Sequence, residues 1–294
     1  MRSAAKHASG SRRTVRKIAI GLVLLFALSY ILLSPLCAMH LYRYLLFMPW
    51  KYPVGYFQAP LVNDMLPSEV WFDGPNGTRL NGWFYRSGKA ERTVIVHSGQ
   101  GGNLTINKVW AKVFLDSGAN VLLYDYEGYG KSTGEPSIEA LQRDGLAAYD
   151  FLVDTVKIPA TQIVNFGASL GTGVASYVAG HRQTGALILF SPYTTLREAA
   201  QHLHPILRIY PDFLFPSRQL ECLSCLTREH PPVLIVAGSL DPIVPVALSD
   251  RVARLAVEPK SYLRMDGAGH VPVDVQSLAS IGLFLGSLEA TGKL

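Results

Sequence analysis

Two stretches of the sequence place a serine between glycines in the spacing Gly-x-Ser-x-Gly. One stretch surrounds Ser132 (Gly130–Gly134), and the other surrounds Ser169 (Gly167–Gly171). A nucleophilic serine of this kind needs a tight turn between a strand and a helix, flanked by small residues because the backbones come close together. Only the second stretch meets that requirement, since it follows the apolar run QIVNF and opens the small-residue run LGTGVASYVAG. We therefore predict that Ser169 is a nucleophile.

The first stretch lies in a loop between residues 126 and 136 that is rich in Gly and Tyr. Its Gly130-Lys131-Ser132 resembles the end of a phosphate-binding loop, but the glycine required five residues before Gly130 is Asp125. This departure excludes the nucleotide-loop interpretation. Because the sequence also contains no metal-ligand cluster and no haem motif, we expect no cofactor and no metal.

A serine hydroxyl is a weak nucleophile and needs a histidine base that is oriented by a carboxylate. His270 follows the last predicted strand in the segment DGAGH, and Asp241 follows the strand VLIVA in the segment GSLDP. Both positions lie at the carboxyl ends of strands, where sites of open α/β sheets are found, and the order Ser, Asp, His is the one expected for such a fold. Asp266 is the second choice for the acid, because it lies only four residues before His270 on the same loop.

The developing negative charge of such a reaction requires two backbone N–H groups that point at it. We expect one from Leu170, directly after the nucleophile. The other is expected from the glycine-rich loop after the strand TVIVH, where Gln100 is the first choice and Gly99 is the adjacent alternative.

Short apolar runs alternate with helical patterns over most of the chain. Such runs indicate a mostly parallel sheet that is buried on both faces by helices. The predicted strands are Ser68–Asp73, Arg79–Arg86, Thr93–His97, Asn120–Asp125, Gln162–Phe166, Ala186–Phe190, Val233–Ala237 and Lys260–Met265, and the predicted helices are Thr105–Ser117, Ile138–Val156 and Leu170–His181.

About 40 residues, 191–231, separate two consecutive strands and contain the apolar stretch HLHPILRIYPDFLFP. A long connection of this kind is usually functional, so we predict a lid insertion over the site. His202 and His204 lie in it and are expected to be surface or packing residues rather than metal ligands. We expect the same of His181 at a helix end and His230 in a loop.

The net charge of +5 is concentrated at the N-terminus. Six of the 27 basic residues lie within residues 1–17 without an acid among them, which leaves 21 against 22 acidic residues in the rest of the chain. The body of the protein therefore has no basic excess that would indicate a nucleic-acid partner. Residues 1–17 are interpreted as a basic cytoplasmic tail.

Residues 18–39 form an uncharged apolar run that, as a helix, would span about 33 Å, enough to cross a bilayer. We predict an uncleaved transmembrane anchor, because the run is longer than a signal-peptide core and no small-x-small cleavage site follows. The basic tail would keep the N-terminus in the cytoplasm and the catalytic domain on the extracytoplasmic side, in a periplasm or lumen. The remaining predicted segments are a juxtamembrane linker, 40–67, and one domain, 68–294.

The chain has three cysteines, too few for a disulfide scaffold. Cys222 and Cys225 form a lone CxxC pair, which makes a zinc site a poor interpretation. A small disulfide and two free thiols remain open alternatives.

Taken together, these motifs resemble the small membrane-anchored α/β-hydrolases, which include protein depalmitoylases and serine aminopeptidase-like hydrolases. The resemblance extends from about Tyr42 to His270 and is carried by the segments FMP (47–49), GQGGN (99–103), DYEGYGKS (125–132), GASLG (167–171), DPIVP (241–245) and GH (269–270). It implies an α/β-hydrolase sheet and a triad of Ser169, Asp241 and His270. This chain departs from the family at the oxyanion loop, where relatives usually carry His-Gly-Asn and this chain has Ser98-Gly99-Gln100.

The leading functional hypothesis is hydrolysis of an ester or thioester, with an acyl or otherwise lipophilic substrate, through an acyl-enzyme. A peptidase or amidase of the same fold is the first alternative. The second is a non-catalytic membrane-tethered scaffold, which the apparently complete triad disfavours. The expected partners are a small-molecule or acylated substrate and the membrane.

Overall fold

Eight strands form a single sheet in the computed structural model, which describes residues 2–55, 57–88, 90–217 and 220–290, with side chains from residue 15 onward. The sheet has the order β1-β2-β4-β3-β5-β6-β7-β8. Its first two pairings are antiparallel and the other five are parallel. The strands are β1 (Ser68–Asp73), β2 (Arg79–Tyr85), β3 (Thr93–His97), β4 (Asn120–Tyr124), β5 (Ile163–Ala168), β6 (Ala186–Phe190), β7 (Val233–Gly238) and β8 (Lys260–Met265). The predicted, mostly parallel α/β-hydrolase sheet is confirmed.

The central strands are continuous apolar runs because both of their faces are covered. In β3, Val94 and Val96 pack into one hydrophobic cluster, whereas Ile95 between them packs into a second cluster on the opposite face. Every residue of β3, β4, β5, β6 and β7 is buried. This burial explains why these strands show no polar alternation in the sequence.

Helices cover both faces of the sheet. Residues of α3 and α9 pack into the first cluster, and residues of α4 and α5 pack into the second. The helices of the domain are α3 (Lys108–Asp116), α4 (Ile138–Asp150), α5 (Leu170–His181), α6 (Leu196–Leu203), α7 (Leu223–Leu226), α8 (Val246–Leu255) and α9 (Val275–Ala290), and the N-terminal helices are α1 (Arg2–Leu32) and α2 (Met39–Phe47). Helices α6, α7, α8 and α9 were not predicted from the sequence.

The predicted helix 138–156 divides into α4 and one π-helical turn, Phe151–Val156. The Ser137 side chain caps its start by accepting the Ala140 amide, and Lys157, with a φ of 68°, ends it. The predicted helix 105–117 likewise consists of a short 3₁₀ turn, Leu104–Asn107, followed by α3.

The N-terminal unit of the structure comprises residues 1–42 together with 208–217. Val15–Leu32 is long and apolar enough to cross a membrane by length and composition. The helix ends at Leu32, whereas the predicted anchor continues to residue 39. Pro35 explains the difference, because its ring prevents the helix from continuing through it. The side chains of residues 1–14, and so most of the predicted basic tail, lie outside the described residues.

The predicted lid 191–231 has three parts with different surroundings. Helix α6 belongs to the unit that contains the sheet and lines the pocket that contains Ser169. Residues 208–217 belong to the N-terminal unit, where the Leu36 amide donates to the Leu214 carbonyl at 2.9 Å and the Tyr210 hydroxyl donates to the Leu33 carbonyl at 3.1 Å. The last part belongs to the core, because Cys222, Cys225 and Leu226 are buried against α5, β6 and β7. Arg218 and Gln219 lie outside the described residues.

Candidate active site

Ser169 lies on the turn between β5 and α5, in a backbone conformation with a φ of 52° and a ψ of −118°. A non-glycine residue is strained there, and such strain persists only where the surroundings enforce it. The flanking glycines explain how the turn closes: a Cβ at Gly167 would lie 2.4 Å from the Gly171 carbonyl oxygen, and a Cβ at Gly171 would lie 1.9 Å from the His97 carbonyl oxygen. The turn therefore has the geometry of a nucleophile elbow.

His270 and Asp241 are joined by a hydrogen bond. The Nδ1 atom of His270 lies 2.8 Å from Oδ2 of Asp241. The other carboxylate oxygen, Oδ1, accepts the backbone amides of Ile243 at 2.8 Å and Val244 at 2.9 Å. Burial, the largest single influence, raises the pKa of Asp241, but the hydrogen bonds from His270 and the two amides outweigh it and hold the pKa below its ordinary value. Asp241 is therefore an anion suited to orient an imidazole.

Two hydrogen bonds, one between backbone atoms and one to a serine hydroxyl, connect the turn at Ser169 through the end of β6 to the loop that carries His270. The Ser169 amide donates to the Phe190 carbonyl at 2.9 Å, at the end of β6. The next residue, Ser191, is buried, and its hydroxyl accepts the amide of Val271 at 3.0 Å. Ser191 was not singled out in the sequence, although its position directly after a buried strand that neighbours β5 is a signal that could have identified it.

The loop Ser98–Asn103, here called the oxyanion loop, passes directly beside the nucleophile. A Cβ added at Gly99 would lie 3.8 Å from the Cβ of Ser169 and 3.6 Å from the Ala168 carbonyl oxygen. Gln100 and Leu170 both line the pocket that contains Ser169. The three predicted oxyanion residues are therefore all neighbours of Ser169.

Buried hydroxyl groups fix the carbonyls around these residues. Tyr193 donates to the Leu170 carbonyl at 3.0 Å, and Tyr126 donates to the Ser98 carbonyl at 3.2 Å. The Thr172 hydroxyl and amide both donate to the Ser169 carbonyl, at 2.6 and 2.9 Å. Because a carbonyl shares its peptide plane with the next amide, the bond to Ser169 fixes the direction of the Leu170 N–H.

The pocket at Ser169 is narrow, with a cavity volume of about 30 Å³, and its lining is mostly apolar. Helix α6 and the loop after Asp241 form much of its wall. It is lined by Leu46, Gln100, Ser169, Leu170, Tyr193, Leu196, Ala199, Ala200, Leu203, His204, Ile243 and Val244. None of these lining residues is acidic. An aliphatic lining without a carboxylate suits a hydrocarbon group of a substrate better than a charged amine.

Ser132, in the other Gly-x-Ser-x-Gly stretch, is buried away from solvent. Its hydroxyl donates to the Asp125 carbonyl at 2.8 Å and accepts the Asn81 amide at 2.9 Å. The bond from Asn81 holds the loop 126–136 against β2, and the bond to Asp125 ties the loop to its own start at the end of β4. Ser132 is therefore a structural residue.

The other histidines have varied surroundings. Both ring nitrogens of His230 lie within hydrogen-bond distance of backbone carbonyl oxygens, Nδ1 at 2.7 Å from that of Pro231 and Nε2 at 3.0 Å from that of Val257.

His204 lines the pocket at Ser169, and in the described structure its buried Nε2 atom has no hydrogen-bond partner. His97, which the sequence analysis did not single out, is fully buried between Tyr124 and Asn165, and burial lowers its pKa to about 4.

The described part of the chain holds neither the ligand set of a metal site nor a disulfide. No group of three or more His, Cys, Asp or Glu side chains is arranged there to hold a metal ion. All three cysteines are free, so of the two alternatives for Cys222 and Cys225 the structure shows free thiols. Burial raises the pKa of each of these two thiols to about 11.

The sequence profile of the family described as "Serine aminopeptidase, S33" matches residues 88–231. An uncharacterized protein of Mycobacterium tuberculosis strain H37Rv is 35% identical over 232 residues, which cover 78% of this chain and 80% of that protein. The rat lysophosphatidylserine lipase ABHD12 is 32% identical over 173 residues, 51% of this chain and 41% of the lipase.

Solved structures share the fold at lower identity. An esterase of Pyrococcus furiosus has a TM-score of 0.69 and 20% identity, covering 83% of this chain and 98% of its own. A puromycin-hydrolyzing peptidase of M. tuberculosis has a TM-score of 0.62 and 20% identity, covering 79% of this chain and 41% of its own. The same sheet therefore occurs with ester and with amide substrates, so the fold does not choose between them.

Proposed function

Since the chain belongs to the serine aminopeptidase S33 family of α/β-hydrolases, we propose that it is a serine hydrolase that cleaves an ester or thioester through an acyl-enzyme. The observation that carries this proposal is the strained turn at Ser169 beside the oxyanion loop, together with the hydrogen bond between His270 and Asp241. Ser169 is the nucleophile, His270 the general base, and Asp241 the residue that orients His270.

In the first half of the reaction, the hydroxyl oxygen of Ser169 forms a bond to the carbonyl carbon of the substrate while His270 accepts the hydroxyl proton. The amides of Leu170 and of Gln100, or of the adjacent Gly99, stabilise the oxyanion of the tetrahedral intermediate. The bond to the leaving oxygen or sulfur then breaks, and the protonated His270 returns the proton to that leaving group. Asp241 stabilises the imidazolium throughout.

In the second half, water takes the place of the leaving group. His270 accepts a proton from the water as its oxygen attacks the acyl carbon of the acyl-enzyme, and the same two amides stabilise the second oxyanion. Collapse of this intermediate releases the carboxylic acid and restores the Ser169 hydroxyl. The cycle needs no group besides these residues and water.

The proposed substrate carries an acyl or otherwise lipophilic group. Aliphatic side chains dominate the lining of the pocket at Ser169, and none of the lining residues is acidic. An aminopeptidase would need an acidic group to bind the protonated peptide terminus, and none of the lining residues is acidic, so the lining favours an acyl group over a peptide. The name of one relative, the rat lysophosphatidylserine lipase, is consistent with a lipophilic substrate. The match covers 41% of the lipase.

The proposed location is a membrane. Val15–Leu32 is the candidate span, and the basic residues before it favour a cytoplasmic N-terminus with the catalytic domain on the extracytoplasmic side. The domain boundaries proposed from the sequence, 1–17, 18–39, 40–67 and 68–294, are kept with this assignment.

The test is hydrolysis of p-nitrophenyl esters from acetate to palmitate by the full chain in detergent. Wild type should turn over, and Ser169→Ala should lose activity by a factor on the order of 10⁴ or more, down to what binding and the oxyanion hole provide. Ser132→Ala is the matched control, which removes the serine of the other motif and should keep most of the activity. The preferred chain length would measure the acyl pocket.

Labelling by a serine-directed phosphonate separates the alternatives. A protein that is labelled at Ser169 but hydrolyses no ester would be a peptidase or a narrowly selective enzyme. A folded protein that is neither labelled nor active would be a non-catalytic scaffold, and the proposal would fail.

A further inference from the structure

The segment Leu45–Val54, here called the juxtamembrane strap, is bonded to the oxyanion loop along its length. The Trp50 amide donates to the Gly102 carbonyl at 2.9 Å, and the Gln100 side chain donates to the Leu45 carbonyl at 2.7 Å. The Asn103 side chain donates to the Trp50 carbonyl at 3.2 Å and to the Val54 carbonyl at 2.6 Å. The strap therefore holds the oxyanion loop at Gln100, Gly102 and Asn103.

The strap is also bonded to the loop around Gly130. The Gly130 amide donates to the Trp50 carbonyl at 2.8 Å, and the Tyr52 amide donates to the Gly130 carbonyl at 2.8 Å. From this loop Tyr129 reaches inward, with a side chain only 1% exposed. Its hydroxyl lies within hydrogen-bond distance of the Phe47 carbonyl in the strap and, at 2.9 Å, of the Gln100 carbonyl in the oxyanion loop.

We propose that Tyr129 is a positioning residue of the oxyanion hole, and that it acts by joining the juxtamembrane strap to Gln100. The inference rests on the proposed function, since it assigns a role within the same reaction. Gln100 is held at two points, by its side-chain bond to Leu45 and by its carbonyl at Tyr129. The bond from Tyr129 fixes the peptide plane that follows Gln100, and the bond to Leu45 fixes its side chain, so the backbone of the residue that carries the proposed donor amide is restrained.

Such restraint matters because an oxyanion donor stabilises the transition state only if it is oriented before the reaction. Backbone amides in a glycine-rich loop have many accessible conformations, and glycines stand at positions 99, 101 and 102 of this loop. The bonds from the strap and Tyr129 offset that freedom. The proposed turnover therefore depends on the juxtamembrane strap, a segment of the predicted linker between the membrane anchor and the domain.

The experiment is Tyr129→Phe in the full chain, which removes the hydroxyl and keeps the ring in the core. We expect kcat to fall about 10- to 100-fold with KM changed less than twofold, because a misdirected donor costs less than the 10²–10³-fold of a missing one. Inhibition by an acyl trifluoromethyl ketone, whose Ser169 adduct carries an oxyanion, should weaken by the same factor as kcat/KM falls.

Tyr85→Phe is the matched control. Tyr85 is equally buried, and its hydroxyl donates to the Pro60 carbonyl at 3.0 Å, so this variant loses the same kind of bond at a site that the proposal does not involve. Its kcat and its inhibition by the ketone should equal those of the wild type. A loss of kcat in Tyr85→Phe as large as in Tyr129→Phe would show a general effect of weakened packing and overturn the proposal.

Gln100→Ala, at a partly exposed residue, tests the other bond while it keeps the backbone amide. It should also lower kcat. In the double variant with Tyr129→Phe, the fold-loss of kcat should be smaller than the product of the two single fold-losses, because both bonds act on one loop.

If Ser169→Ala is inactive and Tyr129→Phe turns over like the wild type, the role of Tyr129 is refuted and the proposed function stands. If Ser169→Ala keeps its activity, the proposed function itself fails.

Discussion

Asp241 accepts three hydrogen bonds, from the ring of His270 and from two backbone amides of its own loop. The two amides fix the carboxylate, and the carboxylate in turn fixes which ring nitrogen of His270 carries the proton. Asp266, the other acid considered from the sequence, lies on the loop of His270, but His270 pairs with Asp241.

Replacement of Asp241 by asparagine tests this assignment. The amide keeps the shape of the side chain but cannot hold the reactive tautomer of His270, so we expect kcat to fall by about 10³- to 10⁴-fold with little change in the melting temperature. Ester turnover under saturating substrate measures the effect. Asp266→Asn is the control and should remain within about twofold of the wild type; the opposite ranking of the two variants would make Asp266 the acid.

Helix α5 begins directly after Ser169, and its first turn packs against the end of β3. A Cβ at Gly171 would meet the carbonyl oxygen of His97 at 1.9 Å and that of Ser98 at 2.7 Å, both of them backbone atoms that no rotamer change can move. The close approach of a helix and a strand at this point is what brings the oxyanion loop beside Ser169.

Gly171→Ala should therefore destabilise the domain, because the strand end and the helix must separate. We expect a loss of about 2 kcal/mol or more, which corresponds to a fall of the melting temperature of about 4–8 °C, together with lower activity. Thermal unfolding in detergent measures it. Gly286→Ala on α9, where an added Cβ meets nothing within 4 Å, is the control and should unfold at the wild-type temperature or slightly above it. Equal melting temperatures of the two variants would contradict the close packing of α5 against β3.

Much of the sheet was predictable because its strands are buried on both faces and leave continuous apolar runs in the sequence. The positions of Ser169, Asp241 and His270 at strand ends followed from those runs, and their catalytic roles remain proposals. The path of residues 208–217 could not be predicted, since it depends on partners far away in the chain: the Tyr30 hydroxyl bonds the Ile209 carbonyl across 179 residues. The bond between Tyr129 and the strap spans 82 residues and left no local signal for the same reason.

At the scale of the whole molecule, the excess positive charge lies in the first 17 residues, and the proposed site residues lie in the rest of the chain. Six basic residues lie within residues 1–17, four of them before the candidate span Val15–Leu32 and two in its first turn, and the remainder of the chain is nearly neutral. Basic residues next to a span are retained on the cytoplasmic side, so we expect this asymmetry to place the proposed reaction on the extracytoplasmic side of the membrane.

The orientation is testable with reporters fused to the C-terminus. Alkaline phosphatase, which folds only outside the cytoplasm, should be active, and green fluorescent protein at the same position should be dark after export through the general secretory route. Replacing Arg2, Lys6, Arg12, Arg13, Arg16 and Lys17 by glutamine should reduce or invert the difference between the two reporters, because the retention signal is lost. A bright fluorescent fusion of the unaltered chain would place the catalytic domain in the cytoplasm.

The bonds between the strap and the domain also bear on how a water-soluble form of the protein should be designed. Deleting the apolar helix is the usual first step, and the apparent domain start at β1 invites a cut near residue 67. Such a cut would remove the backbone partners of Gly102 and Gly130 and the carbonyl that receives the Gln100 side chain. A soluble variant that begins at Arg43 keeps all of them. Of two such truncations of equal solubility, the longer one is the form in which the hydrolase should be assayed.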